Sequence, residues 1–303
     1  MTDYCSEGDT TCLQDAANPN STASCGIGTH HTLPRDQAPL RSTQAMASQI
    51  RNNLLGLIPD DELSRVLGVC ERVRLAPRQV LHHYMLPMEH VYFVERGLVS
   101  VAARVGREKF VEVWLIGSEG LVGAPVLLAA RAAPLHRRTV QVTGEALRIK
   151  TSEFCELLES LPYLRSVVER YLAVVLAQTS QSGACNSYHS LKQRLARWLL
   201  IAQNATGEDQ IPLTHGVLAE LLGVRRASVT ECLEGLQKDG TIATRRGSVK
   251  IEDAAELSKL SCDCFKLIER EYRRHLLPVL DTGSRTGPPA SFVASIGLGE
   301  PHS

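Results

Sequence analysis

Residues 213–238 read LTHGVLAELLGVRRASVTECLEGLQK. Val217, Leu218, Leu221 and Leu222 recur at helical spacing, and Val229, Cys232, Leu233 and Leu236 do so again, so each half carries one apolar stripe. Gly223 separates the two. Placed just past the last periodic residue, a glycine takes the left-handed backbone that ends a helix and redirects the chain, a conformation branched residues resist. Ala219, four residues before Gly223, is small enough to let a second helix cross closely, and Val229 follows ten after Ala219. This is the spacing of a helix-turn-helix. Its second helix, 225–238, leaves Arg225, Arg226, Ser228, Thr230, Glu231 and Gln237 off the apolar stripe, groups of the kind that meet base edges and phosphates. An ordinary helical hairpin with a solvated face is the competing reading of the motif alone.

The next thirteen or so residues weigh against the bare hairpin. After Asp239 and Gly240 the chain reads TIATRRGSVKIED, in which 241–244 and 248–251 alternate as short strands around the turn Arg245-Arg246-Gly247. A helix-turn-helix followed at once by a basic hairpin is a winged helix, with Arg245 and Arg246 expected beside the recognition helix on backbone phosphates. Double-stranded DNA is the expected partner.

The charge distribution agrees with this locally and is silent globally. The 303 residues carry 33 Lys and Arg against 33 Asp and Glu, a formal net charge of zero. From Tyr188 to Lys250 there are nine cations and six anions, with two arginines opening the recognition helix and two at the wing tip. At 44% hydrophobic residues the chain is long enough and apolar enough for two cored domains. Residues 1–45 and 281–303 are rich in small, polar and Pro/Gly residues and are read as disordered tails. With no apolar run suited to a signal peptide or membrane span, a cytoplasmic protein is expected, and its nine cysteines are expected to be reduced thiols.

Between about Leu54 and Lys150 the pattern changes. Short runs at 91–95, 98–105, 110–116, 140–142 and 145–150 are bounded by Gly97, Gly106, Gly117, Gly120, Gly123 and Gly144. Val99, Val101 and Ala103 are expected on one face, as are Val111, Val113 and Leu115, in an antiparallel sandwich or small barrel preceded by a helix over 60–70. Helical periodicity then returns, with Pro162 suited to a first turn and Leu164, Val168, Tyr171 and Val175 forming a seam. The seam is either barrel core or, as its heptad-like spacing favours, a parallel dimer contact. A two-fold dimer sets recognition helices roughly 34 Å apart on a palindromic site.

The order of parts, with QRLARWLLIAQ (193–203), LTHGVLAELLGVRRASVTECL and the wing RRGSVKIED, resembles the Crp-Fnr family of bacterial transcription regulators. The resemblance implies an α+β chain: a cyclic-nucleotide-binding-like β jelly roll or barrel over 46–160, a dimerisation helix over 161–187 and a winged helix-turn-helix over 188–280. It implies a homodimer, with RNA polymerase as a further partner of an activator and no membrane. Arg226 matches the family's guanine-reading arginine, while Ala227 and Glu231 replace the base-reading glutamate and an arginine of the cyclic-AMP receptor, so a different half-site is expected. Arg225 and Ser228 match phosphate-contacting or capping positions.

In the family's cyclic-nucleotide sensors a Gly-Glu pair holds ribose and an Arg-Ser or Arg-Thr pair holds phosphate. These positions are Gly123-Ala124 and Arg138-Thr139 here, while Thr179 and Ser180 match the adenine contacts. Because Ala124 lacks the carboxylate, cyclic nucleotide is not expected to bind. An iron-sulfur cluster is not expected either, since Cys5, Cys12 and Cys25 lack the spacing and no cysteine lies between Cys70 and Cys155. Cys262 and Cys264, two apart on an expected late helix, should point to different faces and share no metal, and His82, His83 and His90 are expected on the barrel surface. No nucleophile-base pair, metal triad or phosphate-cradling loop recurs, so no enzyme is expected. The remaining alternative is a regulatory or scaffold protein that uses its β domain without sequence-specific DNA binding.

Overall fold

The computed structural model describes residues 50–107, 109–129 and 133–276; the two expected tails, with Cys5, Cys12 and Cys25, lie outside these. Helix α1 (Asp60–Leu67) leads into an antiparallel sheet. Strands β1 (Glu71–Leu75) and β2 (Val80–His82) both pair with β6 (His136–Lys150), β6 pairs with β3 (His90–Arg104), and β3 pairs with β4 (Phe110–Ile116) and β5 (Leu121–Val122). The interior is closed by α1, α2 (Thr151–Ser160) and the long α3 (Pro162–Tyr188).

The glycines expected to bound strands at 97 and 144 lie inside strands instead. They face one another across β3 and β6 at a register shift, where Gly97 has φ 92° and a Cβ on Gly144 would sit 1.9 Å from the Arg96 carbonyl oxygen. Glycine here permits a bulge and close backbone approach, which bends two long strands without ending them. The expected faces need a similar correction. Val99 and Val101 enter the barrel core, and on β4 Val113 packs half-buried against it as expected, but Trp114 and Ile116 join it as well, while Leu115 points outward. The ladder slips between Val101 and Ala102, and one such slip reverses which residues face in.

Helix α3 starts where Pro162 occupies the first turn, and the buried Glu62 carboxylate accepts from the amides of Tyr163 (3.1 Å) and Leu164 (2.8 Å). The seam Leu164, Val168, Tyr171 and Val175 is buried in this chain's own barrel core, which overturns its reading as a dimer contact. Periodicity identifies an apolar face without saying whether the same chain or a partner covers it. A second stripe lies on the other side: Ala173, Leu176, Ser180, Gly183 and Ser187 follow at three- and four-residue spacing, half-buried or exposed, with Leu176 65% exposed.

The C-terminal half comprises α4 (Leu191–Thr206), β7 (Gln210–Ile211), α5 (His215–Leu222), α6 (Arg226–Lys238), β8 (Ile242–Arg245), β9 (Ser248–Ile251), α7 (Ala254–Leu260) and α8 (Cys264–Leu276). A capping box between Ser190 and Gln193 starts α4 directly after α3. Around Trp198 a second core forms from α4, α5, α6, α7 and the small sheet β7-β9-β8. Leu98, Leu115 and Val142, on the outer face of the barrel, belong to it. Helix α8 returns to α3 and buries Ile268, Tyr272 and Leu276 in the first core. Among the described residues no helix is long and apolar enough to cross a membrane.

Candidate nucleic-acid interface

The helix-turn-helix closes as its residues dictate. Thr214 caps α5 by accepting from the Val217 amide at 3.3 Å. Gly223, at φ 68°, ends α5: its amide donates to Glu220 O at 3.3 Å and the Val224 amide to Ala219 O at 3.0 Å, the paired bonds of a Schellman turn. A Cβ at Gly223 would also lie 3.0 Å from Val111 Cγ2 of β4, so the turn rests on the barrel. Ala219 is buried at the crossing, and Val229, Leu233 and Leu236 point α6 into the core.

That packing turns Arg225, Arg226, Ala227 and Glu231 outward to solvent, with Ser228 half-buried. Arg225 is the N-cap of α6 and Arg226 its first residue, so both guanidiniums sit where unpaired helix amides and the positive end of the dipole favour a phosphate. Arg245 and Arg246 are exposed at the tip of the β8–β9 hairpin, whose turn is completed by Gly247 at φ 81°. None of these four arginines enters an ion pair among the described residues. Gln237 ties helix to wing, its Oε1 accepting from the Thr244 amide at 3.1 Å and hydroxyl at 2.5 Å.

Thr230 has a different occupation from the expected one. Its hydroxyl donates to Arg226 O at 3.1 Å and lies 3.0 Å from His215 Nδ1, so it braces α6 against α5. The residues that position this interface were not singled out by the sequence: His215, and Arg194, whose Nη2 donates to Leu222 O at 2.7 Å. Each lies one helix away, and only the crossing brings it into range.

The expected effector positions are divided by the fold. Arg138 and Thr139 are adjacent on β6 and alternate across it. Arg138 is buried in the barrel, donating from Nη1 to His136 O at 3.2 Å, and no ion pair to it is found among the described residues. Burial lowers its guanidinium to about 10. Gly123 approaches the same region, since its Cβ would lie 3.3 Å from His82 Cε1, and Ala124 is buried. Thr139 instead lines an outer groove of about 390 Å³ with Glu112, Arg137 and Glu220, between barrel and α5. Thr179 returns its hydroxyl to Val175 O at 2.6 Å, and Ser180 is exposed. His82 is not at the surface as expected. It is buried with Nε2 2.7 Å from His90 O, and burial together with Arg138 holds it near 4, so the neutral ring donates.

A titratable group sits where the two halves meet. Trp198 Nε1 donates to Glu112 Oε2 at 2.5 Å, and burial pushes the Glu112 carboxyl up to about 7 despite that bond and the nearby Arg197 and Arg194. A carboxyl whose folded value is raised stabilises the fold fully only below its unfolded value, and the contribution fades as pH rises through about 7. Thermal stability should therefore fall between pH 5 and pH 8 by about 1–3 kcal/mol through this group, and Glu112→Gln should flatten the profile. Melting temperatures of both proteins across that range test it; parallel profiles would exclude Glu112 as the cause.

Cys262 and Cys264 also depart from expectation. Cys262 lies in the turn between α7 and α8 and Cys264 is the first residue of α8, so no single helix carries both, and both are buried against Cys185. The two-residue spacing separates side chains only in regular helix.

Residues 193–260 match the family described as a Crp-like helix-turn-helix domain. An uncharacterised NTE family protein of Mycobacterium tuberculosis is 30% identical over 148 residues, which are 49% of this chain and 24% of that protein, so the chain spans about a quarter of that relative. The global nitrogen regulator of Nostoc sp. is 23% identical over 181 residues, 57% of this chain and 81% of that one. Among solved structures, the c-di-GMP responsive global regulator CLP of Xanthomonas campestris is similar with a TM-score of 0.54 at 20% identity, covering 64% of this chain and 99% of that one. A Crp/Fnr-family transcriptional regulator of Thermus thermophilus has a TM-score of 0.50 at 22% identity, with 63% and 98% covered.

Proposed function

We propose that this chain, which carries a Crp-like helix-turn-helix domain on the fold of Crp/Fnr regulators, is a homodimeric transcription regulator that reads a palindromic operator with α6. The observation that carries the reading is the set of four exposed arginines without ion pairs among the described residues, Arg225 and Arg226 at the start of α6 and Arg245 and Arg246 on the wing. A scaffold with no nucleic-acid partner gives no reason for that arrangement. Arg226 is assigned to a guanine edge, bidentate to O6 and N7, and the wing pair to phosphates. Ala227 and Glu231 replace longer or cationic base readers, so the half-site differs from that of the cyclic-AMP receptor.

Dimerisation is assigned to the outward stripe of α3 centred on Leu176, whose small neighbours Ala173, Ser180 and Gly183 permit close helix approach. For the signal, the buried charge of Arg138, which has no ion-pair partner among the described residues, supports an anionic group received inside the barrel, and Ala124 disfavours a ribose beside it.

The test begins with a site enriched from a random duplex pool. Arg226→Ala should weaken binding to that site by about 1–3 kcal/mol and relax preference at one base pair of each half-site. Arg245→Ala and Arg246→Ala should instead weaken binding to all sequences and reduce the salt slope by about one each. Unchanged titration of the enriched site by Arg226→Ala would remove the assignment.

A further inference from the structure

Outside the DNA-binding surface, four ligand-type side chains converge at the junction of the two halves. Cys185 and His189 are four residues apart in the last turn and cap of α3, and therefore on one face. Cys262 arrives from the α7–α8 turn and Cys264 from the first position of α8. The three sulfurs and a His189 ring nitrogen all lie within 4.8 Å of one another. Cys185 Sγ and Cys262 Sγ are 3.5 Å apart, and Cys264 Sγ is 3.6 Å from His189 Nδ1. All three cysteines are buried and form a cluster separate from both apolar cores.

We propose that Cys185, His189, Cys262 and Cys264 form a closed, tetrahedral Cys3His site for a single zinc ion. A tetrahedron with Zn–S near 2.3 Å has S···S edges of about 3.8 Å, and its S···N edges are slightly shorter, so these separations need only small adjustments. A multinuclear iron-sulfur cluster spreads its thiolates over several irons and requires a wider cradle. Three thiolates and one imidazole suit zinc over calcium or magnesium, which prefer oxygen. With four protein ligands and little solvent access the site is structural.

The surroundings suit an anionic centre. Binding one Zn²⁺ releases three thiol protons to solvent and leaves a site of net charge −1, with three Zn–S bonds and one Zn–N bond formed. Gln181 Nε2 donates to Cys264 Sγ at 3.0 Å, as an outer partner of a metal thiolate does. Arg197, itself buried, and Arg194 both act electrostatically on Cys185. The metal would fasten α8 to the end of α3, immediately before the Ser190 cap that starts α4.

The full chain, purified under reductant without a histidine tag, is analysed for metal and then stripped with a zinc chelator and titrated with cobalt(II). The expected results are one zinc per chain and, in the stripped protein, the intense visible bands of tetrahedral thiolate-bound cobalt at one equivalent. Stripping should lower the melting temperature by about 10 °C, reversed by zinc. Cys264→Ser and His189→Ala should lose the metal, while the triple variant Cys5→Ser, Cys12→Ser, Cys25→Ser should keep it. If the site variants fail to fold, the cobalt spectrum of the unaltered chain decides alone. A folded, reduced chain that takes up no zinc and gives only the weak spectrum of octahedral cobalt would overturn the proposal, as would an iron-sulfur chromophore lost with Cys264, or a Cys185–Cys262 disulfide in protein alkylated before unfolding.

Discussion

Leu176→Arg is expected to leave each chain folded yet monomeric, and to weaken binding to an intact palindrome by roughly 10²–10⁴-fold. Leu176 is 65% exposed on α3, so its replacement leaves no cavity, and a surface change of this kind moves stability by about 0.5 kcal/mol or less. The new side chain places a cation beside its own copy across the proposed two-fold axis. The affinity falls because two linked half-site contacts become separate encounters, although the residues touching DNA are unchanged. Light scattering and gel shift on full and half operators separate the two effects. Binding to a single half-site should be unaffected, and a variant that stayed dimeric would place the dimer contact elsewhere.

Trp198→Ala is expected to cost about 3–5 kcal/mol, the range for removing a large buried ring. The indole is 1% exposed at the centre of the second core and donates to Glu112, so the substitution removes core volume and strips a half-buried carboxylate of its donor together. Trp198→Phe separates these effects by restoring most of the ring without the N–H. Its stability should lie between the other two and fall more steeply above pH 7, where Glu112 ionises. A loss below about 1 kcal/mol for Trp198→Ala would mean that the core around α4 is loosely packed.

The helix-turn-helix was the most legible part of the chain because its determinants are local. Gly223, Ala219 and the apolar stripe lie within a few residues of one another, and each constrains a backbone angle or a crossing whatever surrounds it. The barrel was legible as a class, but β1 and β2 were missed, since an edge sequence such as ERVRL shows little apolar pattern and its partner lies more than sixty residues away. The α3 seam had the right spacing and the wrong cover. The cysteine cluster was hidden for a related reason: Cys185 and His189 carry a recognisable four-residue spacing, but nothing near them in sequence announces that the α7–α8 turn will fold back onto them.

The same folding-back has a consequence for how the molecule can be taken apart. Leu98, Leu115 and Val142 are carried by the barrel strands yet lie inside the core assembled around Trp198, and a Cβ on Gly117 would stand 2.4 Å from that of Ala205. A cut between His189 and Ser190 would thus yield two fragments with complementary greasy scars, one missing a wall and the other exposing it. Neither should be as soluble as the whole, the chain should melt in a single step, and grafting the helix-turn-helix half onto another barrel would require transplanting those three side chains and the seat of Ile268, Tyr272 and Leu276 with it.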